Sequence, residues 1–304
     1  RKNNQDAGYA SPNLLVVTDG MGGAAAGDLA SAVASTEVAR SDHRAESGDE
    51  MLERIAGIIA RANAKLTDLI DEDLELDGMG TTFCGAMFDG RQFGLAHVGD
   101  SRGYLLRDGE LTQLTHDHSW VQSLVDEGKI TPAEAAEHPH RSLLLKVLNG
   151  QPTHLPDYQL VDAELGDRLL FCSDGLSGMI DDDVIAELVA STSDLDAAVA
   201  ALTKAARAGG GLDNITLVLA DVVEHDDELE AATPRVLGAA QTVKIPRAGR
   251  PRSDDADWRE DTSRLPIDAV ALAAAGSVDN PPAGLIDPDQ FETIRYSPHL
   301  PSRR

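Results

Sequence analysis

Between residues 13 and 221 the chain switches between two apolar patterns. Short runs rich in Val, Leu and Phe predict strands at 13–18, 80–88, 91–98, 102–107, 110–115, 158–163, 167–173 and 215–221. Longer stretches space their apolar residues as a helix does. Leu52, Ile55, Ile59, Ala62, Leu66 and Leu69 form one stripe, which predicts a helix over 50–71 with that face on a core. The Ala-rich stretch 27–40 and the segments 181–190 and 194–207 predict further helices. Asp181-Asp182-Asp183 opens one of these, where carboxylates suit the positive end of a helix, so it reads as a cap and not a metal cluster. Asp89-Gly90 and Asp108-Gly109 fall between neighbouring strands as hairpin turns, so part of the sheet is antiparallel.

Residues 116–150 interrupt this pattern. They are polar and carry His116, His118, His138 and His140. Thr131 followed by Pro132 marks a helix start inside them. The segment reads as a mobile insert. Its histidines lack the i, i+4 spacing and the cysteine partners of a zinc site, so they are expected to be solvated. From about 223 periodicity fades, and nine of the 14 prolines lie in 224–304. Residues 223–304 are therefore expected to be a disordered tail or linker, with Thr262 and Thr293, in acidic or mixed surroundings, as candidate kinase sites.

Charge narrows the partners. The net charge is −26, from 52 acidic and 26 basic residues, which argues against a nucleic-acid phosphate backbone as ligand. Cys84 and Cys172 sit in apolar strands and read as buried, reduced thiols. No run of about 18 apolar residues and no leader is visible, so no membrane anchor is expected within this chain and the compartment is expected to be cytoplasmic. The chain begins at Arg1 without Met and reads as a piece of a longer protein.

The chemistry lies where strands end. Leu14-Leu-Val-Val-Thr-Asp19-Gly20, Leu95-Ala-His-Val-Gly-Asp100-Ser-Arg102 and Leu169-Leu-Phe-Cys-Ser-Asp174-Gly175 each end an apolar run in an aspartate. Asp213-Asn214 precedes the last strand, and Arg1-Lys-Asn-Asn-Gln-Asp6 opens the chain. Such strand ends, brought together, make a cage of hard oxygen ligands suited to Mg²⁺ or Mn²⁺. Two such ions sharing a water lower its pKa toward 7 and neutralise phosphoryl oxygens, so the chain reads as a metal-dependent hydrolase. Asp19 is the bridging candidate, with the Gly20 carbonyl beside it. Asp174 and Asp213 flank the pair, and Arg1 is placed to fork onto a phosphate.

In these motifs, and in Gly80-Thr81-Thr82, Leu114-Thr-His-Asp-His118 and His138-Pro-His-Arg-Ser142, the chain resembles the metal-dependent protein phosphatases, the type-2C serine/threonine family, and its bacterial members in particular. The resemblance covers about residues 1–222. It implies an α+β fold, a four-layer α-β-β-α sandwich of two mainly antiparallel sheets flanked by helices, with 116–150 as its flap. It implies two Mn²⁺ or Mg²⁺ ions held by Asp19, Gly20, Asp174 and Asp213. A third ion is implied at Asp100, Asp174 and the Ser142 carbonyl. Arg1 would bind phosphate, and Asp6 and Asn214 would orient metal-bound water. The implied substrates are proteins phosphorylated on serine or threonine, among them Ser/Thr kinases and their targets. Met21 stands where many animal members carry a histidine, which removes that general acid. Gln5 stands where some members have Glu. The family's first strand, which precedes the arginine, is absent from this sequence. An unpaired sheet edge and a poorly held Arg1 are therefore expected.

Two other readings compete. Gly20-Met-Gly22-Gly-Ala-Ala25 fits a dinucleotide fingerprint loosely, but Asp19 would repel a pyrophosphate. A metal-binding module without activity is the other.

Overall fold

The computed structural model describes residues 3–22, 26–224 and 232–246, together with the backbone of 299–300. Its first sheet contains β1 (Asp6–Ala10), β2 (Leu14–Met21), β3 (Gly80–Thr81), β4 (Phe83–Phe88), β5 (Gln92–Val98), β8 (Asp157–Asp162) and β12 (Arg235–Gly238). The strand order is β12-β1-β2-β4-β5-β8, with β3 paired to the end of β2. The second sheet runs β10-β9-β6-β7, from Leu217–Asp221, Arg168–Cys172, Arg102–Arg107 and Glu110–Gln113. Every pairing in both sheets is antiparallel. That removes the dinucleotide-binding alternative, which needs parallel strands joined by helical crossovers.

The layers follow from which face of each strand is apolar. Val17, Leu15, Cys84, Phe93 and Leu95 of the first sheet meet Leu105, Leu169, Phe171 and Val218 of the second, forming the core between the sheets. On the outer face of the first sheet lie α1 (Gly27–Arg40) and α2 (Gly48–Glu72). The stripe of α2 is buried there at Ile55, Ile59, Ala62, Leu66 and Leu69, and Ser47 caps the helix by accepting the Glu50 N–H. On the outer face of the second sheet, α6 (Asp182–Ser191) and α7 (Leu195–Ala208) cover Leu170, Leu217 and Leu219. The result is a four-layer α-β-β-α sandwich. Asp108 at φ 53° and Gly109 at φ 82° form the two-residue turn between β6 and β7.

Some expectations change. The Asp triplet puts Asp181 at the N-cap without a side-chain cap bond, and Asp182 instead accepts the Tyr104 hydroxyl at 2.9 Å. The insert holds α3 (Trp120–Asp126) and α4 (Pro132–Ala136), the latter opened by the Thr131–Glu134 capping box. The tail is not featureless from 223. Val223–Glu224 forms β11, paired in parallel with β13 (His299–Leu300). Residues 235–238 form β12, antiparallel to β1. Ala239–Thr242 form a last short helix, α8, with Ala239 buried against Ala7 and Ala32. The outer edge of β1, expected to be bare, is paired along Ala7–Ala10. Thr262 and Thr293 lie outside the described residues.

Candidate metal centre

The register of β1 and β2 sets Asp6 opposite Asp19. Asp19 is buried within β2. Its N–H donates to Thr82 Oγ1 at 2.8 Å, and its carbonyl accepts from the Thr82 N–H at 2.8 Å and the Thr81 hydroxyl at 3.0 Å. The Gly80-Thr81-Thr82 motif therefore clamps the backbone around this carboxylate. Gly20 next to it donates its N–H to the Gln5 carbonyl, and a Cβ there would collide with the backbone of Gly27 and Gln5. A side chain cannot fit, so the close approach of these three backbone segments requires glycine.

The other aspartates arrive from the ends of other elements. Asp100 follows β5. Asp174 follows β9 and opens the four-residue helix α5 (Asp174–Ser177). Asp213 precedes β10, and its Oδ1 accepts the Asn214 N–H at 2.7 Å. Asn214 is buried and accepts the Gln5 N–H at 2.9 Å, which ties the last motif to the first. Asp6 is fully buried. Its Oδ2 accepts the Ser173 hydroxyl at 2.8 Å, while its Oδ1 has no hydrogen-bond partner.

These carboxylates load the site with unbalanced negative charge. Burial, and then repulsion from Asp6, Asp174, Asp100 and Asp213, holds the Asp19 carboxyl well above the usual range. Burial followed by Asp174 and Asp117 does the same to Asp100. Asp6 is pushed up to about 7, mainly by burial, although Ser173 and Thr216 pull it back. An all-oxygen donor set, mutually repelling and with a buried orphan oxygen, fits hard divalent cations. Asp19 and Asp100 both feel Asp174, which places these carboxylates around one mouth.

A cleft of about 250 Å³ opens beside this mouth. Asp100, Asp174 and Ser142 line it together, as do Arg141 of the insert and Met179, Ile180 and Asp181 of the second-sheet side. The three residues expected around a third ion thus face one space. Arg1 lies outside the described residues.

Arg102 belongs to the Asp100 motif, and nothing in its sequence neighbourhood marks what it binds. Its Nε and Nη2 fork onto Asp117 at 3.0 and 2.8 Å, and its Nη1 reaches Asp182 at 3.4 Å. It joins the base of the insert to α6. His118 was expected to be solvated and is buried. Its N–H donates to the Gly99 carbonyl, and its Nδ1 accepts the Gly99 N–H at 3.1 Å. Its ring stacks on buried His97, with centroids 4.8 Å apart. A titratable side chain two residues from His116 carries no sequence signal that separates it from a solvated one. Its burial follows from tertiary packing.

His97, His118 and Asp157 place ligand atoms within 4.8 Å of one another, the one such group among the described residues. The Gly99 N–H on Nδ1 fixes the His118 proton on Nε2, which donates to Asp157 at 3.0 Å. Lys146 Nζ already stands 3.3 Å from Asp157. His118 and Asp157 are therefore a hydrogen-bonded latch holding the insert, with the His97 ring stacked against it. Cys84 and Cys172 are buried and free, and burial pushes the Cys172 thiol up to about 12, so neither is a nucleophile.

Comparison with known proteins agrees with this geometry. The family model described as protein phosphatase 2C matches residues 2–213. The serine/threonine protein phosphatase PstP of Mycobacterium tuberculosis is 45% identical over 226 residues, covering 74% of this chain and 43% of the relative. The chain thus spans less than half the length of that relative. Protein phosphatase PhpP of Streptococcus pneumoniae is 37% identical, over 75% of this chain and 95% of its own. The crystal structure of the PstP catalytic domain in complex with two manganese ions superposes with a TM-score of 0.68 at 42% identity, over 74% and 94% of the two chains.

Proposed function

Because the chain belongs to the protein phosphatase 2C family, we propose that it hydrolyses phosphoserine and phosphothreonine in proteins, using two divalent cations, Mn²⁺ or Mg²⁺. The observation that carries this reading is the buried Asp19, whose carboxyl is raised by burial and by the neighbouring carboxylates of Asp6, Asp174, Asp100 and Asp213. When bound, the cations supply an activated water and neutralise charge on the phosphoryl oxygens.

The chain's own groups do the rest. Asp19 and the Gly20 carbonyl would hold the two cations, together with Asp174 and Asp213. The Thr81–Thr82 clamp holds Asp19 before substrate arrives, so no reorganisation is needed during reaction. Asp6 and Asn214 would orient water beside the cations, Asp6 held by the Ser173 hydroxyl and Asn214 by the Gln5 N–H. Asp100 and the Ser142 carbonyl would hold a third ion with Asp174 and tie the insert to the centre. Arg1 is assigned the phosphate contact on motif position alone. Arg141 and Ser142 of the insert line the cleft beside the mouth, and phosphorylated proteins, Ser/Thr kinases and their targets among them, are the substrates we assign. The test is turnover of a phosphothreonine peptide with Mn²⁺ and with EDTA. Release of phosphate only with Mn²⁺ is expected, and full turnover after exhaustive chelation would overturn the reading.

A further inference from the structure

The metal-site motif Asn4-Gln5-Asp6 rests on a segment that the family match does not reach. That match ends at 213, yet β12 and α8 pack against the strand carrying Asp6. We propose that Leu237 and Gly238, at the end of β12, are positioning residues for Asp6. The proposal rests on the two-cation reading above.

The fit is specific. Ala7 pairs with Gly238, Gly8 with Leu237 and Tyr9 with Val236. Side chains of β12 alternate as a two-faced strand requires. Leu237 is buried in the core between the sheets, while Val236 packs on the helix side. Gly238 lies directly behind the site. Its backbone is at φ 60° and ψ −135°, a region essentially reserved for glycine. A Cβ there would collide with the Asp6 carbonyl oxygen and come within 3.1 Å of Asn4 Nδ2. Asn4 Oδ1 in turn accepts the Asp6 N–H at 2.9 Å. From the other side, Ser31 of α1 donates to the Gln5 carbonyl at 2.6 Å, and α1 also carries the Ala32 that packs on Ala239 of α8. The loop from Asn4 to Asp6 is thus held between α1 and β12. Its freedom sets where the Asp6 carboxylate stands relative to Asp19.

The experiment uses the full chain with Gly238→Ala, and Val236→Ala as a control that weakens β12 without touching Asp6. Mn²⁺ affinity is read by calorimetry, backbone order by amide exchange, and stability by Tm. For Gly238→Ala we expect the Mn²⁺ dissociation constant to rise about fivefold, with faster exchange over residues 3–10. For Val236→Ala we expect a lower Tm with the constant unchanged within about twofold. If Gly238→Ala does not fold, Leu237→Ala is read the same way. Unchanged Mn²⁺ affinity in Gly238→Ala, or an equal loss in Val236→Ala, would overturn the positioning role. So would unprotected amides at 235–238 in the wild type. A wild type that neither binds Mn²⁺ nor turns over a phosphopeptide overturns the two-cation reading instead, while exchange still reports whether β12 holds residues 3–10.

Discussion

A buried carboxylate keeps its charge only if something positive stands near it, and Asp19 is surrounded by others of its own sign. Asp174 repels Asp6, Asp19 and Asp100 together. Asp174→Ala should therefore cost at least about a hundredfold in Mn²⁺-dependent turnover, while in EDTA its Tm should hold or rise because repulsion is relieved. Near-normal turnover on p-nitrophenyl phosphate would remove Asp174 from the site. His97 gives the opposite kind of prediction. Burial, and then neighbouring His118, holds its pKa down at about 3. Unfolded, the ring takes a proton near pH 6.5, but folded it does not until far lower. Its contribution to stability is therefore complete above pH 6.5 and is lost as pH falls from there toward 3, by at most about 1.4 kcal/mol per unit. His97→Asn should flatten the fall of Tm between pH 6.5 and 4, and an unchanged slope would show that His97 does not set it. At this scale the aspartates were legible because each stands in a short motif at a strand end. His97 and His118 were not, since nothing local marks a histidine for burial.

Elements with strong apolar alternation were equally legible. Seven of the eight strands expected from 80–88 onward and 13–18 retain their identity, and 80–88 divides at Thr82 into β3 and β4. Asp6–Ala10 escaped notice because Asp-Ala-Gly-Tyr-Ala has no β-branched residue, and it becomes a strand only because β2 and β12 pair with it on both sides. The insert's helix start was readable from Thr131 and Pro132, but its anchorage was not. Arg102 supplies that anchorage through a planar fork onto Asp117, which a lysine cannot reproduce. Arg102→Lys should therefore loosen residues 116–150, at a cost of about 1–3 kcal/mol to the tie. We expect faster amide exchange confined to the insert and a KM for phosphopeptide that rises more than kcat falls. An unaltered exchange pattern would place the anchorage elsewhere, with the His118 latch on Gly99 as the remaining hold.

Across the whole molecule, the division into a catalytic part ending at 222 and a structureless remainder does not follow the packing. Composition marked the change at 223 correctly as a loss of periodicity, but a four-residue strand needs no periodicity when a ready-made edge receives it. The consequence can be measured with two shortened chains, one ending at residue 224 and one at 246. They differ by the segment that includes β12 and α8. The shorter leaves the edge of β1 unpaired and strips Leu237 from the core between the sheets, a loss of about 2–3 kcal/mol for that side chain alone. It also removes the backing of Asn4 and Asp6. The chain ending at 246 should therefore keep a higher Tm and turn over p-nitrophenyl phosphate at lower Mn²⁺ than the chain ending at 224. Equal Tm and equal Mn²⁺ response in the two would return the boundary to 222 and leave β12 without a part in the fold or the site.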